Sequence, residues 1–190
     1  MNNFFEKLKN LLVKTKIFEF VYYGFFKRKL KPPKDWYKDS DEKFKFIHIL
    51  EAINYVKVSE IPQVYFEFGC HSGRTFSAAL SSSKYLGLAL KAFAFDSFEG
   101  LPNTNKYEDG IFKKGTFYTG MNDFKNIVFK KTGIKLNNNQ LIKGYYENSL
   151  NKSLKNKLPD KVGFVHIDVD LYSSTKTVLE FIKDFLVEGT

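Results

Sequence analysis

Val64-Tyr-Phe-Glu-Phe-Gly-Cys-His-Ser-Gly73 carries the strongest fold signal in the chain. Its first residues are aromatic or β-branched and make a short apolar strand, 63–68, that carries an acid, Glu67, near its end. A turn with two glycines, Gly69 and Gly73, follows, and the sequence from Arg74 to Tyr85 reads as a helix. A strand–turn–helix of this kind lets a nucleoside-bearing ligand lie against bare backbone while an acid and helix N–H groups meet its polar atoms. The spacing is Glu-x-Gly-x-x-x-Gly rather than the Gly-x-Gly-x-x-Gly of dinucleotide-binding proteins, and it points to S-adenosylmethionine rather than NAD. A purely structural turn is the competing reading, since glycine-rich turns after strands are common.

On either side of this segment the pattern repeats. Ser40 or Asp41 can cap a helix to Val56 with Phe44, Ile47, Leu50, Ile53 and Val56 as its apolar positions. Ala92–Asp96 is a second, wholly apolar strand ending in an acid, as in a buried parallel sheet. Asn122–Lys131 reads as a helix, Gln140–Lys143 as a third strand and Val162–Ile167 as a fourth. Ser173 or Ser174 caps a last helix to Leu186, with Val178, Leu179, Ile182, Phe185 and Leu186 on one stripe. Between them, Asp109–Thr119, with Gly110, Gly115 and paired lysines, has the look of a mobile loop over a site. Strands alternating with helices predict an open α/β sheet with right-handed crossovers.

In such a sheet, ligands bind outside the carboxyl ends of the strands. Three of the four predicted strands carry acids there, at Glu67, Asp96 and Asp168. Each alone reads most simply as a helix cap; together they gather carboxylates around one crevice. Asp96, on the strand after the glycine turn, can take both ribose hydroxyls of a nucleoside. Asp168 and Asp170, in His166-Ile-Asp-Val-Asp-Leu-Tyr172, suit a hard divalent cation, Mg²⁺ by default; for Asp170 a capping interaction is the alternative.

The bulk properties narrow the classes. A chain of 190 residues with 43% hydrophobic content has room for one domain with a sizeable core. No apolar run reaches the length of a membrane span, the first residues lack signal-peptide order, and the single cysteine, Cys70, suits a reducing cytoplasm. Of the net charge of +9, residues 1–38 carry +7, with ten Lys/Arg against three Asp/Glu. The remainder is nearly neutral, which argues against a nucleic-acid groove. Residues 1–38 form a basic, aromatic helical extension, joined by Lys31-Pro-Pro-Lys34. It is suited to packing on the domain or on a second copy in a homo-oligomer, or to peripheral contact with an anionic membrane or a partner enzyme.

Four segments carry a family resemblance: Glu67-Phe-Gly-Cys-His-Ser-Gly73, Phe95-Asp-Ser-Phe-Glu-Gly-Leu-Pro102, Ile142-Lys-Gly-Tyr-Tyr-Glu147 and His166-Ile-Asp-Val-Asp-Leu-Tyr-Ser-Ser-Thr175. In this order they resemble the macrocin O-methyltransferase (TylF-like) class I methyltransferases over residues 40–190. The resemblance implies a Rossmann-like sheet, S-adenosylmethionine as donor, and often Mg²⁺-dependent O-methylation of a hydroxyl on a glycoside, nucleotide sugar or other small molecule. It implies that Glu67, Gly69 and Gly73 contact and shape the methionine end, that Asp96 holds the ribose, and that Tyr146 and Glu147 approach the adenine. Asp168 becomes the first metal ligand and Asp170 a second ligand or the catalytic proton acceptor. Family members continue into a further strand with an acidic pair. The sequence ends at Glu188-Gly-Thr190, so the expectation is a domain, 39–190, truncated before its fifth strand, with the fourth strand at an exposed edge. The alternative function is a non-catalytic interaction protein, a degenerate methyltransferase domain tethered by its basic N-terminus.

Overall fold

The segment 64–68 has aromatic or β-branched side chains at every position but Glu67, and it forms the strand that both faces of the sheet cover. In the computed structural model, which describes residues 40–103 and 113–190, β1 (Val64–Phe68) is buried along its whole length. β2 (Lys91–Asp96), β3 (Leu141–Lys143) and β4 (Phe164–Ile167) complete a sheet of order β3-β2-β1-β4, with every pair parallel. The alternation of strand and helix predicts this arrangement, because parallel neighbours need a crossover element between them.

Phe66 and Phe68 face one layer, where Phe66 meets Phe93, Phe95 and Phe185 at ring-centroid distances of 5.2–5.6 Å and Phe68 stacks on Phe95 at 4.3 Å. Tyr65 and Glu67 face the opposite layer, where Tyr65 stacks on Phe164 at 4.9 Å and reaches Phe76 at 6.0 Å. Aromatic side chains fill both layers, which accounts for the high aromatic content without requiring a ligand platform.

The helices are α1 (Ser40–Val58), α2 (Arg74–Leu86), α3 (Met121–Thr132), two single turns α4 (Tyr146–Ser149) and α5 (Lys152–Lys155), and α6 (Tyr172–Ile182). Several boundaries differ from the sequence expectation. Gln140 belongs to a 3₁₀ turn, Asn138–Gln140, and its side chain bonds back to the Ala92 carbonyl, so β3 begins at Leu141. α1 buries Ile49, Ile53 and Val56, whereas Ile47 is 36% exposed and Leu50 only half-buried; the buried stripe is turned from the predicted one. α6 starts before the expected caps. Leu171 is its N-cap, no side chain caps it, and Ser173 and Ser174 lie in its first turn. The helix stops at Ile182, and Phe181 is buried where Leu179 and Leu186 are exposed.

The predicted extension over residues 1–38, the Ser40 and Asp41 caps, the Phe44 contact and the Asp109–Phe112 part of the loop lie outside the described residues or side chains. The chain divides into two units, residues 1–43 and residues 44–190, and the whole sheet belongs to the second. Among the described residues β4 pairs only with β1 and is half-buried throughout, so it is an edge of this sheet as expected. No described helix is long and apolar enough to cross a membrane.

Candidate active site at the carboxyl ends of the strands

Because all four strands run the same way, their carboxyl ends open on one side, and a cavity of about 230 Å³ lies there. The turn after β1 supplies Gly69 and His71, the end of β2 Asp96 and Ser97, and the segment after β3 Gly144, Tyr145, Tyr146 and Glu147. The segment after β4 supplies Asp168, Val169, Asp170 and Leu171, followed by Ser174 of α6. Six predicted site residues therefore converge on one cavity: Gly69, Asp96, Tyr146, Glu147, Asp168 and Asp170. Glu67 and Gly73 do not line it.

Gly69 sits at φ +81°, and a Cβ there would fall 2.1 Å from the Asp168 carbonyl oxygen. The bare backbone is thus needed first for the close approach of the segments following β1 and β4. Gly73, at φ +66°, opens α2 with no side-chain cap, and a Cβ would press on Phe124 and Val128 at 3.0–3.1 Å. A side chain there would meet α3, so packing alone accounts for the glycine.

Asp96 ties the turn down. Its Oδ2 accepts from the N–H of Cys70 at 2.8 Å and of His71 at 3.0 Å, and its Oδ1 from the N–H of Phe98 at 2.7 Å. A carboxylate offers about four acceptor positions, so one is left for a ribose hydroxyl. His71 and Phe98 are themselves at positive φ, 39° and 53°, as is Phe117 at 57°. Non-glycine residues seldom adopt this geometry, and it gathers at sites where the surroundings hold it. The His71 ring meets Phe117 edge-on at 5.7 Å on the cavity wall.

Tyr146 is largely core. Its ring meets Phe68 edge-on at 6.0 Å and its hydroxyl donates to the Phe95 carbonyl at 3.0 Å. Glu147, in the first turn of α4, and Tyr145 are the polar groups on that wall.

Asp168 and Asp170 come together on the fourth side. Asp170 is pushed above the ordinary carboxylate range, by burial first and by the charge of Asp168 second, while His71 pulls the other way. Lys45 of α1 reaches Asp168 at 3.4 Å in an exposed pair. The two neighbouring carboxylates are oxygen donors of the kind Mg²⁺ takes alongside waters, and the Lys45 ammonium paired with Asp168 would have to give way to the cation. Among the described residues no cluster of three or more His, Cys, Asp or Glu is placed to hold a metal.

Sequence reasoning misses His71, Ser97, Gly144 and Ser174. His71 lies inside the Glu67–Gly73 motif, but its left-handed backbone leaves no trace in residue type. The sequence marks Ser174 as a helix cap, and the earlier start of α6 turns it to the cavity instead.

The sequence profile of Macrocin-O-methyltransferase (TylF) matches residues 42–190, most of the chain and all of the sheet. The chain belongs to this family of O-methyltransferases.

Solved structures agree on the fold. CalS11, a calicheamicin methyltransferase, is similar with a TM-score of 0.65 and 19% identity, over 97% of this chain and 73% of that one. The O-methyltransferase NovP is similar with a TM-score of 0.63 and 15% identity, over 75% of this chain and 60% of that one. An apo structure of CalS11, described as a TDP-rhamnose 3'-O-methyltransferase of calicheamicin biosynthesis, gives 0.54 at 18% identity, over 97% of this chain and 73% of that one. No curated protein matches the sequence. The Rossmann-like methyltransferase sheet expected of a TylF-family chain is therefore the fold observed.

Proposed function

We propose that the cavity holds S-adenosylmethionine and that the domain serves methyl transfer to a hydroxyl of a sugar-type small molecule, a glycoside or nucleotide sugar. The observation that carries this reading is the convergence of Gly69, Asp96 and the Asp168–Asp170 pair on one cavity in a chain of the macrocin O-methyltransferase family. Methyl transfer from a sulfonium needs little covalent chemistry from the protein. It needs an acceptor oxygen in line with the methyl group, a place for the departing proton, and exclusion of water.

The chain's residues divide accordingly. The Gly69–Gly73 turn, latched by Asp96, presents backbone to the donor. Glu147 and Tyr145 offer polar partners to the base at the opposite wall. Asp170, whose proton affinity is raised by burial and by Asp168, is suited to accept the hydroxyl proton. Mg²⁺ held by Asp168 would lower the pKa of the acceptor hydroxyl; Asp170 serves either as its second ligand or as the proton acceptor, not as both at once. The CalS11 and NovP names, and the sugar in one of them, support the sugar class of acceptor.

Titration calorimetry with S-adenosylmethionine and S-adenosylhomocysteine tests the donor site; we expect saturable one-to-one binding of both. Absence of heat with either ligand, in a protein shown to be folded, would sink the reading. The metal assignment has its own test. Asp168→Asn should weaken Mg²⁺ binding, read by calorimetry with MgCl₂, by roughly tenfold, about 1.4 kcal/mol, and leave S-adenosylhomocysteine affinity within twofold. Equal Mg²⁺ affinity in the two proteins would remove Asp168 from the metal site. Peripheral attachment through residues 1–38 is a separate proposal, resting on their charge; vesicles of anionic lipid should float the whole chain but not a chain lacking them.

A further inference from the structure

We propose that Glu67 is a positioning residue, a buried acid that braces the glycine turn against α2 from beneath, and that it does not touch the donor. The proposal rests on the donor-site reading above and concerns what holds that site in shape.

Geometry carries it. Glu67 is wholly buried and lies off the cavity wall, on the sheet face that Tyr65 shares. Its Oε2 accepts from the Tyr65 hydroxyl and its Oε1 from the Thr75 hydroxyl at 2.6 Å, with the Phe76 N–H as a third donor. Thr75 and Phe76 form the first turn of α2, directly after Gly73, so the carboxyl group joins β1 to the start of that helix. Its own carbonyl accepts from the Cys70 thiol at 3.3 Å, inside the turn. The side chain therefore joins two segments, β1 and the start of α2, on either side of the turn that borders the cavity, and both of its oxygens are already engaged.

The charge state follows from the surroundings. Burial pushes the carboxyl up to about 8 against the three hydrogen bonds that favour the anion, and the Asp168 charge pushes the same way. The other titratable groups about it are Tyr65 and Cys70, both raised by burial, Tyr146 of α4, and His166, its register partner on β4, which is lowered by burial. None of these supplies a cation at neutral pH. A carboxylate formed there is a buried anion facing neutral or negative groups, which is costly unless water or chain movement relieves it. The movement nearest to hand is release of Thr75 and the turn.

The ordinary carboxyl value of 4.5 belongs to the released turn and the value of about 8 to the braced one. The advantage of the brace is therefore drawn down between those values, by up to roughly tenfold per unit, and donor affinity is level above pH 8. Glu67→Gln keeps the shape and cannot ionise. We expect it to bind S-adenosylhomocysteine within threefold of the wild type at pH 5 and to lose the fall between pH 5 and 8. A folded Glu67→Gln that binds at least tenfold more weakly at pH 5 would overturn the proposal, since that marks an anion used on the donor. Should Glu67→Gln fail to fold, Thr75→Val supplies the test. Removing a hydrogen bond that favours the anion must raise the pH at which the fall levels off, and an unmoved end to the fall counts against the brace. Should the wild type bind no ligand at any pH, the donor reading fails by itself. The brace is then read from amide exchange at Cys70 and His71, corrected for the intrinsic exchange rate. Protection there must drop between pH 5 and 8 in the wild type; pH-independent protection would refute it.

Discussion

Gly69→Ala should destabilise the domain by about 2–5 kcal/mol, from left-handed strain of about 1–2 and overpacking of about 1–3, and should abolish S-adenosylhomocysteine binding. The new Cβ would lie 2.1 Å from the Asp168 carbonyl oxygen at a backbone angle of φ +81°. Neither partner can yield cheaply, because the Gly69 N–H is bonded to the Phe95 carbonyl and the Asp168 N–H to the Phe68 carbonyl, the links that continue the sheet past its last paired residues. Relief means parting the segments after β1 and β4, and those segments are two walls of the cavity. Against a total of about 5–15 kcal/mol for a domain of this kind, such a loss brings the fold near its limit. Gly87→Ala is the control: φ is +67°, and nothing lies within 4 Å of the added Cβ. It carries the strain without the clash and should cost about 1–2 kcal/mol. Urea unfolding of both proteins measures the difference; equal losses would show that contact with Asp168 does not matter.

Asp96→Ala should cost about 3–5 kcal/mol and weaken S-adenosylhomocysteine by at least roughly a hundredfold, given that each buried donor left unpaired costs about 1–3 kcal/mol. Three backbone N–H groups lose their acceptor together, those of Cys70, His71 and Phe98. Two of these residues, His71 and Phe98, also hold unfavourable positive φ angles that the carboxylate helps to fix. Cavity water can take over some of the bonds, which keeps the loss below the full sum. Asp96→Asn should fall between: its single carbonyl oxygen can serve the Cys70 and His71 pair, but its NH₂ then faces the Phe98 N–H, donor against donor. If Asp96→Ala keeps the unfolding midpoint of the wild type and loses only ligand affinity, Asp96 is a ribose ligand alone and the turn is held by other means.

Both predictions concern residues the sequence singles out, yet for partly different reasons. Asp96 reads as a ribose acid from its place at the end of the strand after the glycine turn. The place is correct, and the structure adds three backbone bonds that no residue spacing could announce. Gly69 reads as a surface for a ligand; the nearest obstacle to a side chain there is instead the carbonyl of Asp168, about 100 residues away along the chain. Glu67 shows the limit most sharply. The period of two along β1 puts it on the face of Tyr65, away from the Phe66 and Phe68 face that packs on α6, but which face borders a cavity depends on where the helices land. The α1 stripe is turned for a similar reason. Ile47 and Ile49 both fit a helical repeat, and only burial in the folded chain selects Ile49 and Ile53.

Residue order alone was enough for the alternation of apolar strands and helices and for the parallel sheet, whereas the edge position of β4 was implied only by the family resemblance. Residue order was also enough for the gathering of Asp96, Asp168 and Asp170 at one end, because local periodicity and the one-handed crossover leave few other arrangements. Folding had to add that Glu67 is a buried acid under the turn, that Asp96 latches that turn, and that Ser174 and His71 face the cavity. Those outcomes depend on burial and on contacts between distant segments, and the energies of burial and contact exist only once the chain has folded.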